Sequence, residues 1–174
     1  MRIVGMACED EALDRLLAEA ACTRLLHAYG RAIDWQDRAG LEKLFWPDAN
    51  IDLGFFTGDA AQAIDFLMAN AARSERRFHA TSNSVLRVEG DVALADSCCI
   101  THAVGSDGAG GTSCQLFLGR YLDRFEKRGG EWRFAERLFV MNGYHADGYA
   151  EALFLEGVLR ADGFQPDHTL FRFR

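Results

Sequence analysis

Two histidines, one aspartate and one tyrosine are the residues of this chain whose types and spacing suit acid–base chemistry. Gly90-Asp91 is a two-residue turn signal between β-rich runs, and it pairs Glu89 with Val92. Carried along the ladder, that register sets His79 directly opposite His102, their Cβ atoms roughly 4.5–5.5 Å apart on one face of a sheet. The same face takes Val85, Val92, Leu94, Cys98, Ile100 and Val104, which are bulkier than the alternating Ala, Ser and Cys of the other. The histidine pair is therefore expected to point at a core or a cavity. Asp34 falls at the end of a predicted helix, where the negative end of the macrodipole disfavours a carboxylate by roughly 0.3–1 kcal/mol. Tyr29, five residues earlier, reads as a core aromatic with its hydroxyl at the rim.

Imidazole is the side chain whose ordinary pKa suits a general base near neutrality, and a carboxylate behind it fixes the tautomer and stabilises the imidazolium that forms. Asp34 would orient the ring and His79 would take the proton. The resulting oxyanion could be met by Tyr29, Tyr121 or protonated His102, and His102 could equally protonate a leaving hydroxyl. Plainer readings stand beside this one. His79 could lie on a half-exposed strand start, His102 on the surface, and Asp34 merely in the polar turn Asp34-Trp35-Gln36-Asp37. His79, His102 and Asp34 also have the composition of a two-His-one-carboxylate iron site.

The elements that must position these groups fall into two blocks. Residues 9 to about 34 contain no proline and carry Leu13, Leu16, Leu17, Ala20, Gly30 and Ile33 at helical spacing. Asp37 can cap a second short helix through about Phe45, which Pro47 ends, and residues 50–57 look extended around Gly54. A third helix is expected over 59 to about 73. From residue 78 on the pattern shortens to four β-rich runs, about 78–89, 92–104, 114–127 and 132–144, joined by Gly90-Asp91, a glycine-rich loop and Gly129-Gly130. Helices followed by an antiparallel meander make an α+β fold. The tail, 145–174, holds Phe154, Leu155, Val158, Leu159, Phe164, Phe171 and Phe173. That is too much apolar surface for a solvated appendage. An amphipathic helix over 149–160 is expected to make it a lid or arm across a pocket, its own or a neighbour's.

Length and charge remove several function classes. At 174 residues the chain is read as one domain, 1–174, and at 49% hydrophobic it can bury a full core. A net charge of −7 repels phosphate backbones and anionic lipid, so neither nucleic acid nor membrane is an expected partner. Five cysteines, an odd number without a C-x-x-C pair, read as reduced thiols of a cytoplasmic protein rather than a metal site. No Walker loop or G-x-G-x-x-G is present, and no cofactor is expected.

Four stretches carry a resemblance: Leu26-His27-Ala28-Tyr29-Gly30-Arg31-Ala32-Ile33-Asp34, Leu44-Phe45-Trp46-Pro47-Asp48-Ala49, Phe78-His79-Ala80-Thr81-Ser82-Asn83 and Gly130-Glu131-Trp132-Arg133-Phe134. Together they resemble the SnoaL-like branch of the nuclear transport factor two-like superfamily, over about residues 9–144. Within it the chain is similar to scytalone dehydratase, bile-acid dehydratases and hexachlorocyclohexane dehydrochlorinase, all cofactor-free lyases. The resemblance implies a cone-shaped curved sheet wrapped by N-terminal helices around a deep pocket. It maps the lyase dyad onto Asp34 and His79, a second pocket histidine onto His102 and a catalytic tyrosine onto Tyr29. The substrate-holding residues of scytalone dehydratase fall on Ile33, Leu53 and Tyr121, which argues against scytalone as substrate. With Trp46, Phe55 and Asn142, Leu53 and Tyr121 make up the expected substrate contacts, suited to a small aromatic or polycyclic hydroxylated molecule. The implied assembly is a homotrimer, and the Ala, Ser and Cys positions of the outer sheet face would permit close subunit approach. Two alternatives remain open: a retro-aldol C–C lyase releasing formaldehyde from a diarylpropane, and a non-catalytic small subunit of a ring-hydroxylating oxygenase or a binding module.

Overall fold

The computed structural model describes residues 2–106 and 108–148, with side chains described over 10–146. A long helix, α1 (Arg2–Asp34), leads into α2 (Arg38–Glu42), whose N-cap Asp37 accepts from the Gly40 amide at 3.0 Å. Strands β1 (Phe45–Asp52) and β2 (Thr57–Asp59) follow, then α3 (Ala60–Ala71). Asp59 and Gln62 close a reciprocal capping box at the start of α3, which fixes where the chain turns from strand to helix. Four long strands complete the described fold: β3 (Ser74–Glu89), β4 (Val92–Ser106), β5 (Thr112–Arg128) and β6 (Glu131–Gly148).

The six strands form one curved, unclosed sheet in the order β2-β1-β6-β5-β4-β3. The expected α+β class and the four-strand meander are present. The sheet is antiparallel through the meander and at β1–β2, and β1 joins it by one parallel pairing with β6. The reading of Pro47 as a helix stop is corrected: α2 ends at Glu42 and Pro47 lies inside β1. Proline is tolerated there because the β1–β6 register shifts between Phe45 and Asn50, so no ladder bond is required of its missing N–H. The lid expected from the tail lies outside the described residues.

Buried positions on α1 are Cys22, Leu26, Tyr29 and Ile33, a face of helical period that packs on the concave side of the sheet. Leu13, Leu16 and Leu17, expected on that face, are exposed, because α1 becomes buried only from Ala18 on. Gly30 has a specific use. A Cβ at that position would stand 3.1 Å from the His79 Cβ, so its absence lets α1 lie close on β3.

Apart from Val104, which is buried as expected, the two faces of the sheet are the reverse of those expected. Ala93, Ala95, Ser97 and Cys99 are buried on the inner face, whereas Val85, Leu94 and Ile100 are 69%, 51% and 41% exposed on the outer one. The small side chains leave room for the helices on the inner face, and His79 reaches that face because of a β-bulge. Val85 pairs with Asp96 but Ser82 pairs with Cys98, so β3 carries one extra residue between them, with Asn83 at φ 48°. Because side chains alternate with period two, that residue exchanges faces along β3. Leu86 and Val88 point inward on one side of the bulge, and on the other His79 does. Close subunit approach through the small residues is thereby also corrected, since those residues face the core.

Beneath the inner face lies a buried ion pair. Arg137 on β6 donates from Nε and Nη2 to the two carboxylate oxygens of Asp123 on β5, at 2.7 and 2.8 Å, and neither side chain is exposed. The guanidinium carbon stands 3.9 Å from the Tyr29 ring centroid, 4.1 Å from Tyr121 and 4.3 Å from Phe134. Burial acts to lower the pKa of Arg137, but the Asp123 carboxylate outweighs it and the guanidinium is held charged. Removing one partner of such a pair leaves a buried charge uncompensated. Asp123→Asn is expected to cost about 3–5 kcal/mol of stability in urea unfolding, while Asp123→Leu combined with Arg137→Met costs less. A loss below ~1 kcal/mol for Asp123→Asn, the range of exposed pairs, would contradict this account of the core.

Candidate active site

Asp34 ends α1 and His79 lies near the start of β3, and a single carboxylate joins them. Its Oδ1 is 2.5 Å from His79 Nδ1 and its Oδ2 accepts from the His79 backbone amide at 2.9 Å. Both side chains are largely buried, 14% and 8% exposed. With the carboxylate accepting at Nδ1, the proton of the neutral ring is held there. Nε2 has no partner among the described residues, and His79 lines a cavity.

That cavity has a volume of about 470 Å³ and opens between the concave face, α1 and α3. Its apolar wall comes from Ile33, Leu53, Phe55, Phe66, Leu67, Phe117 and Phe139, with Tyr29 and Tyr121 among the lining residues. The Tyr29 and Tyr121 rings meet edge to face at 5.7 Å above the Arg137 guanidinium. Burial raises the pKa of both phenols, Tyr121 most strongly, while Arg137 pulls them partly back. They remain hydrogen-bond donors at any working pH. The other end is polar, with Asn70, Arg73, Ser74, Arg77, Thr101, Ser113 and Gln115.

Of the residues expected from sequence, Asp34, His79, Tyr29, Leu53, Phe55 and Tyr121 are brought together at this cavity. Three are not. His102 is corrected because the bulge pairs it with Phe78 and sets Thr101 opposite His79. It does not line the cavity, and its Nε2 lies 3.1 Å from the Cys114 Sγ. The two-His-one-carboxylate set therefore does not assemble, and His102 does not reach a leaving group. Trp46 donates its indole N–H to the Glu126 carbonyl at 3.0 Å and is covered by Arg128 and Arg133, their guanidinium carbons 5.0 and 4.7 Å from its ring centroid. Asn142 is exposed at a second bulge, where Leu118 pairs with Gly143 and Gly119 with Met141.

Sequence reasoning missed the polar end of the cavity, above all Arg77. Beginning β3 at residue 78 hid it, although alternation back from His79 places Arg77 on the same face. Phe66 and Phe139 were missed too, being indistinguishable by composition from plain core.

The fold recurs in known proteins. A family model described as a SnoaL-like domain matches residues 14–138. A search of curated proteins finds no match. Among solved structures, a type-3 hexachlorocyclohexane dehydrochlorinase from Novosphingobium barchaimii LL02 superposes with a TM-score of 0.70 at 23% identity, covering 78% of this chain and 93% of that one. A protein from Novosphingobium aromaticivorans DSM 12444, provisionally named a scytalone dehydratase, gives 0.66 at 19% identity over 78% and 90%. The beta subunit of a provisionally named aromatic-ring-hydroxylating dioxygenase from the same organism gives 0.59 at 21% over 74% and 92%. At these identities the structural likeness speaks for the fold alone. The family match spans most of the chain, and the chain belongs to the SnoaL-like domain family.

Proposed function

We propose that this chain is a cytoplasmic, cofactor-independent lyase of dehydratase type acting on a small aromatic or polycyclic hydroxylated molecule. The observation that carries the proposal is the Asp34 carboxylate engaging both N–H groups of His79, which leaves Nε2 bare on a cavity-lining residue. Nε2 takes a proton from a substrate carbon, the C–H electron pair becomes the new C=C bond, and the C–O bond breaks toward oxygen. The imidazolium, stabilised by Asp34, returns its proton to the departing hydroxyl, which leaves as water. Tyr29 and Tyr121 donate to the negative charge that develops on a conjugated carbonyl or phenol. Phe55, Phe66, Phe117 and Phe139 suit a ring-bearing substrate. A subunit role in an oxygenase needs neither the bare Nε2 nor the cavity.

The same chemistry can break a C–C bond when the proton comes from a hydroxymethyl group, and product analysis for formaldehyde separates the two. We also propose that the chain assembles as a homotrimer. The support is the exposed apolar outer face, with Leu94, Ile100, Leu118, Leu122, Leu138 and Val140, rather than the small residues first expected there.

Ligands are to be sought by thermal shift with phenolic, diaryl and polyketide-like compounds, since one present at 100 times its Kd stabilises by ~2.7 kcal/mol. On a compound that is turned over, His79→Ala is expected to lower kcat by about 10²–10⁴ and Asp34→Asn by a comparable factor. The double variant should be little worse than either. His102→Ala, on the other face, should stay near wild type. Wild-type turnover by folded His79→Ala would overturn the proposal. Light scattering should return three times the 19.4 kDa chain mass, and a value at 19.4 kDa would sink the trimer.

A further inference from the structure

The polar end of the cavity contains a cation with no ion-pair partner among the described residues. Arg77 precedes His79 by two residues on β3, so both side chains leave the same face roughly 7 Å apart along the strand. Arg77 is half-buried and lines the cavity. Its Nη2 donates to the Asn70 carbonyl at 2.8 Å and to the Ser74 Oγ at 2.6 Å, which anchors one edge of the guanidinium to the end of α3 and the start of β3. Nε and Nη1 make no hydrogen bond to a described residue, and no described carboxylate lies within ion-pair distance of Arg77. Asp34 acts on it only at longer range, with both of its oxygens already engaged by His79.

The surroundings repeat the sign. Among the described residues no aspartate or glutamate lines the cavity, and the second cation, Arg73, stands exposed at its rim. This positive lining belongs to a chain whose net charge is −7. A partly desolvated guanidinium with unused donors is costly unless something accepts from it. The fixed fork of those donors matches the two oxygens of a carboxylate. Ser113 and Gln115 on β5 line the same end and add polar groups around the position such an anion would take.

We propose that Arg77 is the anion site of this cavity and that the substrate is an aryl or polycyclic carboxylate, its carboxylate on Arg77 and its reacting C–H beside His79. The inference rests on the cavity being the substrate site of the proposed lyase, but carboxylate binding does not need the chemistry. Two probes of one shape separate the charge from the ring: 2-naphthoate and its neutral amide, 2-naphthamide, titrated by calorimetry. The wild type should bind 2-naphthoate about tenfold or more tightly than the amide, the scale of one charge-assisted hydrogen bond. Added sodium chloride should weaken the acid and leave the amide unchanged. Arg77→Gln, its fold checked by circular dichroism, should bind the two alike. Arg77→Lys keeps the charge without the fork, should retain part of the preference, and serves if Arg77→Gln does not fold. His79→Ala should keep the full preference, so a failure of the lyase reading leaves this result standing. Equal binding of the two probes by the wild type, or an undiminished preference in Arg77→Gln, overturns the anion site.

Discussion

One carboxylate ties the two halves of this fold together. Asp34 accepts from the ring and from the backbone of His79, so the end of α1 is fixed to the inner face of β3 by two bonds to one residue. A carboxylate at a helix C-terminus opposes the macrodipole by roughly 0.3–1 kcal/mol, and charge-assisted hydrogen bonds offset that cost. Gly30, one turn earlier, permits the approach, since a side chain there would meet the His79 Cβ at 3.1 Å. The position of the base is therefore set by a helix end, a glycine and a strand together.

The bulge at Asn83 is the second requirement. A regular ladder from Gly90-Asp91 would place His79 beside His102, on the face that carries Leu94 and Ile100 toward the outside. One extra residue in β3 turns His79 inward and leaves His102 with Cys114. A similar shift on β6 between Arg124 and Phe125 of the partner strand brings Arg137 opposite Asp123, which places a buried ion pair under Tyr29 and Tyr121. Base, phenols and the Arg77 cation thus line one cavity, with the ion pair packed behind the phenols.

The fold class, the three helices and the four long strands were legible in the sequence because periodicity and turn residues report local geometry. The dyad was legible because Asp34 at a helix end and His79 in a β-rich run also carry the family resemblance. Which face of the sheet was the inner one was not legible. Asn83 in the left-handed region is one residue among 174, and nothing in the hydrophobic pattern marks it. Apolar bulk misled here, because the small Ala93, Ala95, Ser97 and Cys99 make room for the helices. Trp46 misled for another reason, since its ring serves as a platform for Arg128 and Arg133.

The central claim is that Asp34 holds the His79 proton on Nδ1 and leaves Nε2 bare toward the cavity. Nitrogen-15 NMR of histidine-labelled protein reads this directly, at a pH where the ring is neutral. The account predicts the Nδ1–H tautomer for His79 in the wild type, and its loss in Asp34→Asn when the amide nitrogen presents a donor to the ring. A wild-type His79 with its proton on Nε2, or a tautomer unchanged in Asp34→Leu, would contradict it.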